Sequence, residues 1–208
     1  MRRMIIGIDE VGRGCLAGPV YAAAVCMPAR YRPRHGNLPF RDSKKLTARQ
    51  RETWMKWVAT RPQKFSGRKL RRARPPIGYA VSYAVPRTID RINITRAANR
   101  AAYRAYRLLL KKQPRLAKTP YAILTDGGLH LPPRVPHTSI VRGDERHSAI
   151  ALASIIAKVR RDRRMVSYDK RYPAYAFKRH KGYGTRIHVA ALRRHGPTPI
   201  HRRSFLLT

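Results

Sequence analysis

Acidic residues are scarce in this chain. Of 208 residues ten are Asp or Glu, against 47 Lys and Arg, for a formal net charge of +37. A surface so cationic repels itself unless a polyanion or a dense counterion layer lies against it. Nucleic acid is the natural partner, because Arg outnumbers Lys and its planar fork donates two bonds to a phosphate. Cysteine is scarcer still. Cys15 and Cys26 stand alone, with no CxxC spacing and no Cys/His cluster. That excludes a disulfide framework and a zinc site, and the expected compartment is a reducing cytoplasm. Long apolar runs are missing too. No uncharged apolar run, residues 149–157 among them, reaches the roughly 20 residues a bilayer span needs. No membrane association is expected. The apolar stretch after Arg2 and Arg3 soon meets Asp9, Glu10 and Arg13, so no signal peptide is expected either. What is plentiful is core material. A hydrophobic fraction of 43% excludes a disordered tail protein, and the length suits one domain.

Residues 5–9 read as a short buried strand ending in the turn signal Gly12-Arg13-Gly14, and residues 20–27 as a second strand between Pro19 and Pro28. Thr47 and Gln50 have capping-box spacing, which predicts a helix to about Thr60. Residues 61–76 are basic, carry proline and read as a loop; residues 77–85 suit a strand. Asn93 can cap a helix to about Lys112, with Ile94, Ala97, Ala98, Ala101, Ala105 and Leu108 on one face. Strands are expected at 121–125, before Asp126-Gly127-Gly128, and at 138–141, before Gly143-Asp144. A long helix follows from about 146 to 165, and a shorter one at 186–195. Strands followed by helices indicate a three-layer α/β fold with a mixed sheet.

Three groups of carboxylates stand out. Asp9-Glu10 closes the first strand, Asp126 closes a later one, and Asp144 follows another and begins a helix. Ligand sites in open α/β sheets lie beyond the carboxyl ends of the strands. Carboxylates that converge there repel one another unless a cation sits between them or a proton is shared. Hard ions such as Mg²⁺ or Mn²⁺ take oxygen ligands, and two of them can activate water against a phosphodiester. A very basic protein with a small acidic cluster thus reads as a metal-dependent nuclease. Strand-end carboxylates also serve as caps and turn residues, so position alone leaves Asp126 and Asp144 open between the two roles. Asp9 and Glu10 are neighbours, and neighbours on a regular strand face opposite sides; both reach one site only if the strand ends or twists there. Asp42, Asp90 and Asp162 are expected to cap or to pair with local Arg. His180, His188 and His201 fit no helix-borne pair and are expected to be structural or phosphate-side groups. Cys15 is expected to be a small packing residue.

Seven segments in order resemble ribonuclease HII: Gly7-Ile-Asp-Glu-Val-Gly-Arg-Gly14 running into Leu16-Ala-Gly-Pro-Val20; Asp42-Ser-Lys-Lys-Leu46; Ile89-Asp-Arg-Ile-Asn-Ile94; Asp126-Gly127 with Gly143-Asp144; Ala151 to Val159 with Arg161-Asp162; His180-Lys-Gly-Tyr-Gly-Thr185; and Gly196 to Phe205. The resemblance spans nearly the whole chain. It implies a ribonuclease H-like three-layer α/β fold with a mixed five-stranded sheet and a helical C-terminal portion. Residues 1–208 would then form one catalytic domain, with 160–208 as a helical substrate-binding extension. It also implies endonucleolytic cleavage of RNA in RNA–DNA hybrids and nicking on the 5′ side of single ribonucleotides in duplex DNA, leaving 3′-hydroxyl and 5′-phosphate ends. The family's metal-binding carboxylates fall on Asp9, Glu10, Asp126 and Asp144, with Mg²⁺ or Mn²⁺ in a two-metal site. Its Gly-Arg-Gly loop falls on Gly12, Arg13 and Gly14, which read the 2′-hydroxyl. The junction-sensing tyrosine falls on Tyr183, a position equally open to a core or hinge aromatic. The 2′-hydroxyl is the group that marks RNA against DNA, and glycines let backbone approach it closely.

Lys44, Lys45, Arg142 and Lys181 are candidate phosphate contacts; most other cations are expected to be solvated. If about six phosphates are contacted, log K falls against log salt with a slope near −5. Three positions depart from the family pattern: Cys15 for a usual Pro, Thr88 for a usual acid, and Ala176 for a usual Gly. Two rival readings remain. Ribonuclease HIII shares the fold but usually carries Gly-Thr-Gly or Gly-Lys-Gly and an added N-terminal domain, for which no room is expected before Asp9. A non-catalytic, highly basic binder fits the composition, but it gains nothing from carboxylates on its binding face. A monomer is expected, with genome-maintenance partners and no evident clamp-binding motif after Phe205.

Overall fold

The computed structural model describes residues 3–40, 43–60 and 77–206. Alternation along the first strand sets the layers. β1 (Met4–Val11) buries Met4, Ile6 and Ile8 on one side, and turns Ile5 and Val11 to the other. β2 (Val20–Pro28) is buried throughout and pairs antiparallel with β1 and with β3 (Gly78–Ala84). β4 (Tyr121–Asp126) runs parallel to β1, and the short β5 (Thr138–Ile140) parallel to β4. The sheet order is β3-β2-β1-β4-β5, the mixed five-stranded sheet expected from the sequence.

Helices cover both faces. α1 (Ala48–Ala59) starts at the expected capping box, Thr47 with Gln50. A short α2 (Pro86–Ile92), not foreseen, precedes α3 (Ile94–Lys112), whose first turn is capped by the Asn93 side chain. The alanines of α3 pack on Met4, Ile6 and Ile8. The expected helix from about 146 is two helices. α4 (Gly143–Arg146) is a single turn, His147 is extended, and α5 (Ser148–Arg171) runs six residues past the expected end, stopping just before Pro173. α5 and α1 pack on the Ile5 side of the sheet with Ala23, Val25 and Met27. Contact is close: a Cβ on Gly7 would lie 2.3 Å from the carbonyl carbon of Ala149. α5 spans about 36 Å, and its far end carries a third cluster, Met165 with Ala17, Tyr175, Phe177, Ala191 and Ile200. That cluster joins α6 (Phe177–His180) and α7 (Arg186–His195) to the sheet domain. The loop expected at 61–76 lies outside the described residues, as does Asp42.

Candidate active site

The two central parallel strands deliver the acids. Ile8 is level with Thr125 in the β1–β4 register, so Asp9 and Asp126 stand side by side at the carboxyl ends. Strand alternation then separates Asp9 from Glu10. Asp9 falls on the α5 side, where nearby Ser154 favours its ionised form, while Glu10 falls on the α3 side and accepts from Arg13 Nη1 at 3.3 Å. Both still feel Asp126. Burial, then Glu10 and Asp126, push the Asp9 carboxyl well above the usual range. Burial also raises Glu10; Arg13 opposes that shift and Asp126 adds to it. Asp126 Oδ1 accepts from Gly143 N at 2.7 Å, which ties the start of α4 to the end of β4. Asp144, the next residue, is 6% exposed, with Lys44 Nζ 3.9 Å from its Oδ2.

Among the described residues no group of three or more His, Cys, Asp or Glu stands in metal-holding geometry. The carboxylates are turned to protein donors instead: Asp9 Oδ1 to Glu10 N at 2.7 Å, Asp126 to Gly143, Glu10 Oε1 to Arg13. Among the described residues one buried oxygen has no such donor. Glu10 Oε2 is buried without a hydrogen-bond partner. A buried, unpaired carboxylate oxygen is costly, and here it belongs to an acidic group short of positive charge. The all-oxygen donor set suits a hard divalent cation.

The glycine loop adjoins the acids. Gly12 has φ of +90°, and a Cβ there would overlap Arg161. Arg13 links three elements through Glu10, the Gly128 carbonyl at 3.1 Å and Thr95 Oγ1 at 3.3 Å. Tyr183 lies against the same loop by a β-bridge to Cys15, with one side open to solvent and Lys158 and Arg161 near its ring. Lys44 and Lys45 sit on a 3-10 turn pinned by Ser43 Oγ to Ser154 Oγ at 2.8 Å, and Lys45 pairs with Glu145 at 2.8 Å. Arg142, exposed and left-handed, precedes α4. Lys181 gives its ammonium to the Lys178 carbonyl and its own carbonyl to Arg161. The structure thus places Asp9, Glu10, Gly12, Arg13 and Asp126 together, with Tyr183 at the loop's far side and Lys44 beside Asp144.

Two residues escaped the sequence reading. Arg161 and Arg202 are fully buried, which corrects for them the expectation of solvated cations. Arg161 donates to the carbonyls of Pro19, Lys181 and Ala17; Arg202 donates to those of Gly18, Arg13 and Gly12. Six backbone carbonyls thus take the place of carboxylates, and they hold the Gly12–Pro19 turn in shape. A signal existed for Arg161, which continues the buried row Ala153, Ala157, Met165 at helical spacing; the signal for Arg202 was its place in the Gly196 to Phe205 segment. Asp162 pairs with Lys158 and Arg51, as expected. Asp90 caps the 3-10 turn Arg203–Phe205 through the amides of Arg203 and Ser204. The three histidines are structural: His188 and His201 share a 3.0 Å contact, and His180 stacks on His188. Cys15 is a buried free thiol.

Sheet order, strand-end acids and glycine turn define a ribonuclease H-like architecture. The fold matches ribonuclease HII from Archaeoglobus fulgidus in its PCNA complex, with a TM-score of 0.68 at 22% identity over 96% of this chain and 94% of that one. It also matches Bst ribonuclease HIII in complex with Mn²⁺, with a TM-score of 0.68 at 18% identity over 98% of this chain and 67% of that one. In sequence, ribonuclease HII of Desulfitobacterium hafniense is 45% identical over 97% of this chain and 68% of its own length. The family model for ribonuclease HII matches residues 6–208. The chain belongs to the ribonuclease HII family and is an enzyme, which sets aside the HIII and non-catalytic readings. Among the described residues no helix is long and apolar enough to cross a membrane.

Proposed function

We propose that this nuclease cleaves the RNA strand of RNA–DNA hybrids and nicks on the 5′ side of single ribonucleotides in duplex DNA, leaving 3′-hydroxyl and 5′-phosphate ends. The observation that carries the reading is the partnerless, buried Glu10 Oε2 beside Asp9 and Asp126, next to a glycine loop fixed by buried arginines. Asp9, Glu10, Asp126 and Asp144 would hold Mg²⁺ or Mn²⁺ in a two-metal site. Bound divalent ions supply polarised water and neutralise charge on the leaving oxygen.

The chain's own groups do the rest. Gly12, Arg13 and Gly14 present backbone and guanidinium to the 2′-hydroxyl, and the packing of Arg161 and Arg202 keeps that surface rigid before substrate arrives. Tyr183, joined to the loop through Cys15, lies against the neighbouring deoxyribose and disfavours a second 2′-hydroxyl. Lys44, Lys45, Arg142 and Lys181 take phosphates along the strand. Residues 1–208 act as one domain in this reading, with 160–208 as its substrate-binding extension. The protein works as a cytoplasmic monomer.

Asp9→Asn and Asp126→Asn test the division of labour. Each is expected to abolish cleavage while hybrid binding, measured by filter retention in chelator, stays within a few-fold of wild type. Loss of binding by a folded Asp9→Asn protein would contradict it.

A further inference from the structure

The sheet has a second basic face that the catalytic reading does not use. Among the described residues α5 covers β1 and β2 but leaves β3, an edge strand, partly open. Between β3 and α5 lies a cavity of about 520 Å³, lined by Tyr21, Tyr79, Tyr83, Lys112, Arg160 and Arg164 among others. Tyr83 is 42% exposed and stacks on Tyr21, with ring centroids 5.1 Å apart and planes 23° apart. The Arg164 guanidinium stands 5.8 Å from the Tyr83 ring and 5.9 Å from that of Tyr168, and its Nε donates to the Tyr21 hydroxyl at 3.4 Å. Arg163, on the same rim, is neutralised by Glu52 through two bonds. Among the described residues no carboxylate pairs with Arg160, Arg164 or Lys112.

We propose that this groove is a second nucleic-acid contact and that it takes a single-stranded segment. An exposed tyrosine ring, Tyr83, flanked by cations that no carboxylate neutralises is what an unstacked strand needs: a π-face for a base and charge for the phosphates. A duplex keeps its base faces hidden, so it gains the charge and not the stack. A second copy of the chain pairing edge to edge is disfavoured. The other side of β3 carries a smaller cavity bordered by Arg100 and Arg104, so two such edges would bring like charges together. The groove lies on the β3 flank, two strands from β1, and the inference holds independently of what the four carboxylates do.

The test is fluorescence anisotropy with a labelled oligothymidylate and a blunt DNA duplex of equal length, in chelator at one moderate salt concentration. Tyr83→Ala is expected to weaken oligothymidylate binding on the order of tenfold and to leave the duplex unchanged. Tyr83→Phe retains the ring and is expected to bind like wild type. Arg164→Ala weakens the single strand and lowers its salt slope by about 0.7. Lys118→Ala removes one charge outside the groove and affects both probes alike. Equal losses for Tyr83→Ala and Lys118→Ala would overturn the proposal, as would equal losses of single strand and duplex in Tyr83→Ala. Polyglutamate that binds wild type and not Tyr83→Ala, while oligothymidylate binds both, would assign the groove to an acidic protein instead. Matching thermal melts guard against misfolding, and the loss and slope change expected of Arg164→Ala keep the question answerable if Tyr83→Ala is unstable.

Discussion

Arg202→Lys probes how the recognition loop is built. Arg202 is fully buried, and burial pulls its guanidinium down to about 10, so it remains charged at neutral pH. Its charge is balanced by carbonyl dipoles at 3.0, 2.6 and 2.6 Å, from Gly18, Arg13 and Gly12. A lysine keeps the charge but places one compact donor where a planar fork reached three acceptors. Two charged hydrogen bonds are lost, each contributing about 1.5–3 kcal/mol, for a destabilisation of about 3–6 kcal/mol. Against a total stability of about 5–15 kcal/mol for typical domains, the loss leaves a folded variant when wild type stands above about 6 kcal/mol, which its urea transition reads directly. The freed carbonyls belong to the loop that carries Arg13, so discrimination falls with stability. Urea unfolding measures the first effect. The second is the ratio of cleavage rates on duplex DNA with one ribonucleotide and on a continuous hybrid, taken where the variant is folded. A variant within about 1 kcal/mol of wild type with an unchanged ratio would refute the clamp.

Two further expectations follow from the C-terminal packing. Ala176 has φ of +53°, a conformation that costs a non-glycine residue about 1–2 kcal/mol. Ala176→Gly should therefore stabilise by about 0.5–1 kcal/mol after the added unfolded-chain entropy, seen as a melting temperature raised by a few degrees; an unchanged or lower value would contradict this. His201 is pulled from 6.5 down to about 4, by burial first and then by His188. The unfolded chain thus binds more protons between those values, and the contribution of neutral His201 is full above about pH 6.5 and lost as pH falls toward 4. At 1.36 kcal/mol per unit the loss is about 3 kcal/mol. The raised carboxyls of Asp9 and Glu10 act in the opposite direction, so the readout is the difference in pH slope between wild type and His201→Gln. Equal slopes would remove His201 as a source.

Elements specified by neighbours in sequence were legible. The capping box at Thr47, the Asn93 cap and the hydrophobic run of β2 act over a few residues, and all three formed as read. α2 and α6 are too short to show a helical period, and α6 is flanked by left-handed Ala176 and Lys181. The break at His147 depends on how α4 folds back on Asp126, a contact 17 residues apart. The candidate site divides in the same way. Strand-end carboxylates could be located because strands end at glycines, and alternation anticipated that Asp9 and Glu10 face opposite sides. The links from Arg13 to Thr95 and Gly128, and from Arg202 to the glycine loop, join segments 82 to 190 residues apart. No local pattern encodes them. Ala176 is the instructive exception: a departure from the family's glycine, noted in sequence, falls on a left-handed residue.

The central claim is tested most directly with duplex DNA carrying one ribonucleotide, incubated at moderate salt with Mg²⁺ or Mn²⁺ and, in parallel, with chelator. The account predicts a metal-dependent nick on the 5′ side of the ribonucleotide and none in the all-DNA duplex. Tight binding without a nick under either metal, or cleavage that persists in chelator, would contradict it.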